Sequence, residues 1–271
     1  MKGLTFTLRA EPEERLDLLA LTPDRLDGMS VAEIARLRIG TSRKPASVGD
    51  LFKIAGKDAS RIVFDGGSAH FDGIGAGMSS GMVYVAGDAG AQAGRKMRGG
   101  AIVIEGRCGT HAGSCMAGGR LEIRGNSGDC LGGPLAGEML GMAGGVLVVR
   151  GRAGDYAGDR MRRGVIAILK GCGDYAGSRM IAGSVAVRGK VGAMPGYLMK
   201  RGSLLFDRRP EALSPTFIDC GRTDIAFSGL FDRYLIEDGI LDKPLLGRRP
   251  GKYGGDTAVL GKGEILFRMG G

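Results

Sequence analysis

Few residues in this 271-residue chain could do chemistry, and most of them are thiols, carboxylates and arginines. Cys108, His111 and Cys115 lie close enough along the chain to suggest a metal site, with Cys130 or Asp129 as a fourth donor. A closed zinc site wants four ligands at regular spacing. The five cysteines (Cys108, Cys115, Cys130, Cys172, Cys220) include no C-x-x-C pair, and His111 falls where neighbouring segments carry Gln92 and Tyr156. No metal ligand is assigned, and the odd cysteine count predicts reduced thiols, without disulfides or iron–sulfur ligation. VIAILKGCGDYAG (165–177) imitates the strand and G-x-G-x-x-A of a dinucleotide site. That fingerprint needs a helix next and an acid about 20 residues on. Here the next apolar run begins at Ser184. No G-x-x-x-x-G-K-[ST] occurs, which excludes a P-loop. Asp155-Tyr156 and Asp174-Tyr175 duplicate one another, as repeat geometry does and a catalytic dyad need not. With no Ser/His/Asp, Cys/His or paired-carboxylate arrangement left, the predicted catalytic set is empty.

What remains is charge. Lys and Arg number 38 against 29 Asp and Glu, a net charge of +9, and the stretch from Phe71 to Phe206 carries 17 basic against 9 acidic residues. Arg95, Lys96, Arg98, Arg160, Arg162, Arg163, Arg179, Lys200 and Arg201 flank a recurring methionine and are expected to line one side of the molecule. Such a row is either a solvated face or an attractor for a polyanion. Nucleic acid is disfavoured, because aromatics are only 6% of the chain and no recognised module is present.

The elements that must position these residues form a repeat. Glycine supplies 52 of the 271 residues, against a usual level of about 7%. Met-x-x-Gly recurs at Met78, Met97, Met116, Met142, Met161, Met180 and Met199, nineteen residues apart except for one interval of 26. Five copies extend to G-x-x-[AP]-G-x-x-M-x-x-G. After each comes a short Val/Ile-rich run: MVYVAG, AIVIEG, RLEIRG, VLVVRG, VIAILKG, SVAVRG and SLLF. About twelve glycine-rich residues separate these strands, too few for a crossover helix, so each must pair in parallel with the next. The predicted fold is mainly β: a single-stranded right-handed parallel β-helix of about seven 19-residue turns. Corners needing positive φ or close backbone approach account for the glycines, and the methionines are expected to stack inside as an unbranched filler. GGPLAGEMLG (132–141) must leave the coil as a loop, since Met142 arrives seven residues late.

The predicted domains are an α/β capping segment at 1–60, the β-helix at 61–207, and an irregular C-terminal extension at 208–271. Within the cap, LTFTLRA reads as a strand, TPDRLDG as a short helix with a Thr cap, and MSVAEIARLRIG (29–40) as a helix broken by RKPASVGD. In the extension, FSGLFDRYLIEDG (227–239) reads as a helix, followed by a tail that needs a partner or stays mobile. No apolar stretch suits a bilayer helix and the opening residues carry no secretory signal, so a cytoplasmic location is expected.

The glycine-methionine turns from about Asp65 to Asp207, with the short capping segment before them, resemble the C subunit of formylmethanofuran dehydrogenase and that of the bacterial formyltransferase/hydrolase complex. The same pattern is similar to the C-terminal domain of the glutamate synthase large chain, so an amidotransferase module and a stand-alone polyanion-binding rod are the alternatives. The resemblance implies a non-catalytic scaffold in one-carbon metabolism. Its partners would be an amidohydrolase-like subunit, a formyltransferase subunit and a further subunit. The chain itself would bind no cofactor, metals being housed in partner subunits, while the complex uses a methanofuran-like furan carrier. That carrier's glutamate tail gives the basic side a role, with Arg162, Arg163, Lys200 and Arg201 as its contacts.

Overall fold

The computed structural model describes residues 3–40 and 44–270. The first strand, β1 (Gly3–Leu8), alternates buried Leu4 and Phe6 with more exposed neighbours, and β2 (Leu16–Asp17) follows it. α1 (Pro23–Leu26) has Thr22 at its N-cap position, but the Thr22 side chain makes no capping hydrogen bond, so the expected Thr cap is positional only. Ser30 does cap: its Oγ accepts from the Glu33 amide at 3.3 Å, and Glu33 Oε2 accepts from the Ser30 amide at 2.8 Å. The helix it opens, α2 (Val31–Ala35), is shorter than the expected 29–40. Backbone pairing explains the stop, because Ile39 N–H donates to Ala46 O at 2.9 Å and Val48 N–H to Leu37 O at 2.9 Å. Arg43, first residue of the expected break, lies outside the described residues. α3 (Val48–Leu51) and β3 (Phe52–Ala55) lead into β4 (Asp58–Asp65), which pairs in parallel with β1 while β3 pairs with it antiparallel. Phe6, Phe52, Phe64 and Phe71 pack with ring centroids 5.3–6.1 Å apart and seal this end of the molecule. β5 (Phe71–Asp72) pairs with β2.

Then come β6 (Met82–Val85), β7 (Ala101–Ile104), β8 (Ala117–Ile123), β9 (Ala143–Val149), β10 (Arg163–Ile168), β11 (Ser184–Val187) and β12 (Arg201–Phe206). Each pairs in parallel with the next, and no helix intervenes. Met82 faces Ala101 and Ala101 faces Arg120, then Arg120 faces Val146 across the long interval, after which Val165, Ser184 and Ser203 resume the 19-residue offset. The result is a long, mostly parallel 13-stranded sheet.

All seven repeat methionines are buried, stacked beside the inward Val, Ile and Leu of the strands. Each methyl group lies over the glycine three residues past the next repeat's methionine position, or over Gly263 at the end of the series. A Cβ on those glycines would stand 2.6–3.0 Å from the methionine Cε. Gly119 illustrates both causes, being at φ +79 with Met97 Cε at 2.6 Å and Gly100 O at 2.7 Å. Three residues before the methionine, a Cβ on Gly113, Gly158 or Gly177 would collide with a core side chain of the next repeat's strand, Leu147 Cδ1 standing 2.3 Å from the position on Gly113. The expectation that every positive-φ corner excludes a Cβ is corrected at two other positions. Five residues before the methionine stand Gln92, His111, Tyr156, Tyr175 and Met194, and one residue before it stand Lys96, Cys115, Arg160, Arg179 and Leu198, all at φ between 51 and 64. None of these side chains belongs to the buried core, so what glycine avoids at the other two positions is collision as well as strain.

The C-terminal extension is more regular than expected. β13 (Ile218–Arg222), α4 (Ala226–Glu237), β14 (Gly251–Gly255) and β15 (Lys262–Phe267) follow, and β15 pairs in parallel with β12 from Arg201↔Lys262 to Phe206↔Phe267. The tail thus finds its partner in its own chain. α4 and the segment after it cover the outer face of the last strands, burying Val148, Ala167, Ala186, Leu205 and Leu266 under Phe231, Leu235, Ile240 and Leu246. Asp232 accepts from the amides of Leu245, Leu246 and Gly247, and Arg150 donates to the carbonyls of Gly239 and Ile240 just past the helix end.

The methionine–glycine contact sets a mutational expectation. Gly119→Ala loses about 2–4 kcal/mol of unfolding free energy, through overpacking and a strained φ together. Met97→Leu, near-isosteric, loses less than about 1.5 kcal/mol. Urea unfolding of both variants compares them, and equal losses would show that the close approach does not govern stability.

Candidate functional site

Of the nine cations expected along one side, eight divide into two groups of four; the ninth, Arg98, is exposed and takes no ion pair among the described residues. Arg162 and Arg163 follow Met161, and Lys200 and Arg201 follow Met199; all four are exposed and take no ion pair or side-chain hydrogen bond among the described residues. Their backbones are held from within: Arg162 N–H donates to Met142 O, Ile181 N–H to Met161 O and Lys200 N–H to Met180 O, each at 2.8 Å. The two dibasic pairs therefore stand two strands apart, about 10 Å, with Ile181 and Ala182 between them.

The other group is occupied. Arg95 Nη2 lies 2.6 Å and Lys96 Nζ 3.2 Å from Glu138 Oε1 in the inserted loop, and Arg160 Nη1 donates to the Glu138 carbonyl at 3.0 Å. Arg179 forms a two-pronged pair with buried Asp159 at 2.9 and 2.7 Å. The expectation of one continuous free row is corrected accordingly: these four cations serve the fold, because a carboxylate from the insert or the adjacent repeat reaches each of them or, for Arg160, a carbonyl does. The insert leaves the repeat cleanly. Met142 N–H donates to Gly132 O at 2.7 Å, the bond that Met97 makes to Gly94 in a regular repeat. Nothing in the sequence marked Glu138 as the anchor except its place in the only interrupted interval.

Glu138 also accepts from Cys115 Sγ at 3.1 Å and from the Leu135 amide at 3.0 Å. Desolvation opposes its ionisation, yet these hydrogen bonds, the Lys96 ammonium and the Arg95 charge hold it down at about 2. Burial, with the bond to Glu138, raises the Cys115 thiol. Cys108 and Cys172 occupy one register inside the fold, where desolvation pushes both up to about 12. Cys108, His111 and Cys115 are thus not brought together, since Cys108 points to Gly90 O at 3.5 Å while Cys115 serves the loop. Among the described residues no cluster of three or more His, Cys, Asp or Glu could hold a metal ion, and the five cysteines are free. Asp155 and Asp174, in the duplicated Asp-Tyr pairs, accept the amides of Asp174 and Ala193 as a structural ladder. Beside them Tyr156 and Tyr175 stack at 4.9 Å, and Tyr175 meets Tyr197 edge-on at 5.9 Å. A cavity of about 990 Å³ lies elsewhere, between α4 and the chain around Arg248, and no histidine or cysteine lines it.

Exposed cations and stacked aromatics on an otherwise self-satisfied frame define a glycine-patterned parallel β-repeat protein whose surface is suited to contact. No protein-family profile matches the chain. It is 50% identical over 262 residues, 97% of its length and 98% of the relative's, to the C subunit of the formyltransferase/hydrolase complex Fhc of Methylorubrum extorquens. It is also 32% identical over 99 residues, 35% of this chain and 37% of the relative, to the C subunit of the tungsten-containing formylmethanofuran dehydrogenase 2 of Methanothermobacter thermautotrophicus. A chain in the crystal structure of the M. extorquens formyltransferase/hydrolase complex (FhcABCD) with methylofuran matches with a TM-score of 0.94 and 41% identity, over 98% of this chain and all of that one. The chain belongs to the family of C subunits of the formyltransferase/hydrolase complex. No helix among the described residues is long and apolar enough to cross a membrane.

The lowered Glu138 carboxyl makes a pH-dependent expectation. A depressed folded-state value adds stability above the ordinary carboxylate range, and that stability is lost as pH falls towards 2. Glu138→Gln should therefore be less stable by about 1–3 kcal/mol at pH 7, with the gap narrowing between pH 4.5 and pH 2. Denaturant unfolding across that range checks it; a pH-independent gap would assign the loss to packing.

Proposed function

We propose that this chain is the non-catalytic scaffold of a formyltransferase/hydrolase complex in one-carbon metabolism. Its repeats wind as a single-stranded right-handed β-helix of about seven 19-residue turns over 61–207, between a cap at 1–60 and the extension at 208–271. The hand follows from the preference of parallel connections. The observation that carries the reading is the full-length match, at a TM-score of 0.94, to a chain solved inside a complex of several subunits. The internal engagement of Glu138, Asp159 and the aspartate ladder supports it, because those carboxylates hold backbone amides or, for Asp159, the Ser178 and Arg179 side chains, and none of them is left poised for catalysis.

In this reading an amidohydrolase-like subunit, a formyltransferase subunit and a further subunit dock on the rod, and any metal belongs to them. The complex hydrolyses formyl groups carried on a furan cofactor, as a hydrolase and not a dehydrogenase. The relative's complex holds methylofuran. Arg162, Arg163, Lys200 and Arg201 attract the carrier's glutamate tail while its formyl end visits the partners' active sites. Four cations without carboxylate partners, in pairs about 10 Å apart, suit a flexible polyanion better than a compact ligand.

Changing all four residues to Glu in the assembled complex should weaken polyglutamate binding by at least about tenfold at low salt. Wild-type binding should fall steeply as salt rises. Unaltered turnover and affinity at low salt in the quadruple variant would reject the role of these residues. Failure of the wild-type chain to co-purify with the other subunits would reject the scaffold itself.

A further inference from the structure

The insert and the tyrosines beside it carry a second surface. Half of the chain's six tyrosines, Tyr156, Tyr175 and Tyr197, sit in one aromatic run on neighbouring repeats. Tyr156 and Tyr175 hold φ of 58 and 60 at a position where the first repeat has Gly73 at φ 70. A left-handed conformation costs a bulky L-residue about 1–2 kcal/mol relative to its preferred regions. Stacking offsets that strain, so at a site that tolerates glycine and is not buried in the core the ring brings the fold little net gain. Backbone strain of this sort concentrates where a surface is used.

The loop next to it is built in the same sense. Glu138, fixed by Arg95, Lys96, Cys115 and the Leu135 amide, locks the insert, and that lock holds Met139 at 74% exposure with Leu140 at 37% beside it. Tyr156 and Tyr197 are 36% and 38% exposed. Between loop and tyrosine lies a cavity of about 320 Å³ lined by Leu135, Gly137, Tyr156, Arg160 and Arg179. The carboxylates around it are already neutralised, Glu138 by Arg95 and Lys96 and Asp159 by Arg179. Arg160 has only a carbonyl partner and no ion pair among the described residues, so it leaves a positive charge beside the cavity. Methionine, tyrosine and arginine around a preformed pocket are the residue types that concentrate binding energy at protein interfaces.

We infer that the 132–141 insert and the Tyr156–Tyr175–Tyr197 run form a docking surface for another folded subunit, one that presents an apolar ridge with a carboxylate placed for Arg160. The inference rests on the scaffold reading above and names the surface through which one partner is held. An unstructured polyglutamate would use the charge but leave Met139 and Leu140 in water, which is why a folded apolar surface is favoured.

The full chain, co-expressed with the other subunits of its complex, is purified through a tag on a different subunit, and its retention is followed on dilution. Met139→Glu and Tyr156→Gly should each dissociate at least tenfold faster than wild type. The isolated variant chains should keep melting temperatures within about 4 °C of wild type, since one site is exposed and the other exchanges lost stacking for relieved strain. Wild-type-like retention of both variants overturns the inference while leaving the scaffold reading intact. Absence of wild-type retention overturns the scaffold reading and this inference with it. A concentration-dependent dimer of the isolated chain, abolished by Met139→Glu, would overturn the assignment in favour of a second copy of this chain.

Discussion

The contact between each methionine methyl and the glycine of the following strand sets the spacing of the whole molecule. A methionine is long and flexible enough to reach one strand onward, and only a residue without Cβ can receive it at 2.6–3.0 Å. Because the receiving glycines from Gly100 to Gly202 are also held at positive φ, conformational preference and packing select the same residue at the same place. Each repeat thereby fixes the next, and stability accumulates by nearest-neighbour contacts, not around one central core. The ends then need different devices: four phenylalanines at one, and at the other β15, where Gly263 receives the last methionine and antiparallel β14 and β13 close the series.

The periodicity made most of this frame legible. Strands, buried methionines and the excursion between Gly132 and Met142 all follow from a 19-residue pattern, because a repeat broadcasts its constraint seven times. The covering of the later strands by α4 was also written in the sequence, though less plainly. MVYV and AIVI alternate burial, whereas Val148, Ala167, Ala186 and Leu205 sit at outward positions that would be polar if water faced them. A run apolar on both faces signals a second layer. The partner that the C-terminal tail needs was hidden for a related reason: its glycines and charged residues look like a loosely held segment, while Gly263 is the repeat's own glycine with no nineteen-residue interval to announce it.

The candidate site was less legible, because charge in a sequence does not reveal which carboxylate lies opposite. Arg95, Lys96, Arg160 and Arg179 share the methionine-flanking register with Arg162, Arg163, Lys200 and Arg201, yet the first four are committed to Glu138 and Asp159. Nothing local separates the groups. The difference comes from where the insert folds back, a long-range event that a single strand of sequence cannot encode visibly. The left-handed tyrosines were hidden by the same limit, since their register elsewhere carries Gln92, His111 or Met194, and only backbone geometry shows that a ring there is strained.

The insert itself could have disrupted the ladder but does not, and the way it avoids doing so argues for its use. Seven extra residues enter where Gly132 and Met142 still make the ordinary repeat hydrogen bond, so the strands on either side stay paired with only a 26-residue offset. Closing such a loop carries an entropic cost that grows slowly with length, and an idle excursion would need no anchor beyond its two ends. This one instead draws two cations, a thiol and an amide onto a single carboxylate, and spends that order on holding Met139 in water. Order of that kind lowers the conformational entropy lost when a partner arrives, so it favours binding as well as the stability of the isolated fold. The same logic separates the two ends of the face: rigid aromatic and apolar groups at the insert suit a contact with fixed shape, while the exposed arginine and lysine side chains further along, without ion pairs among the described residues, suit one without.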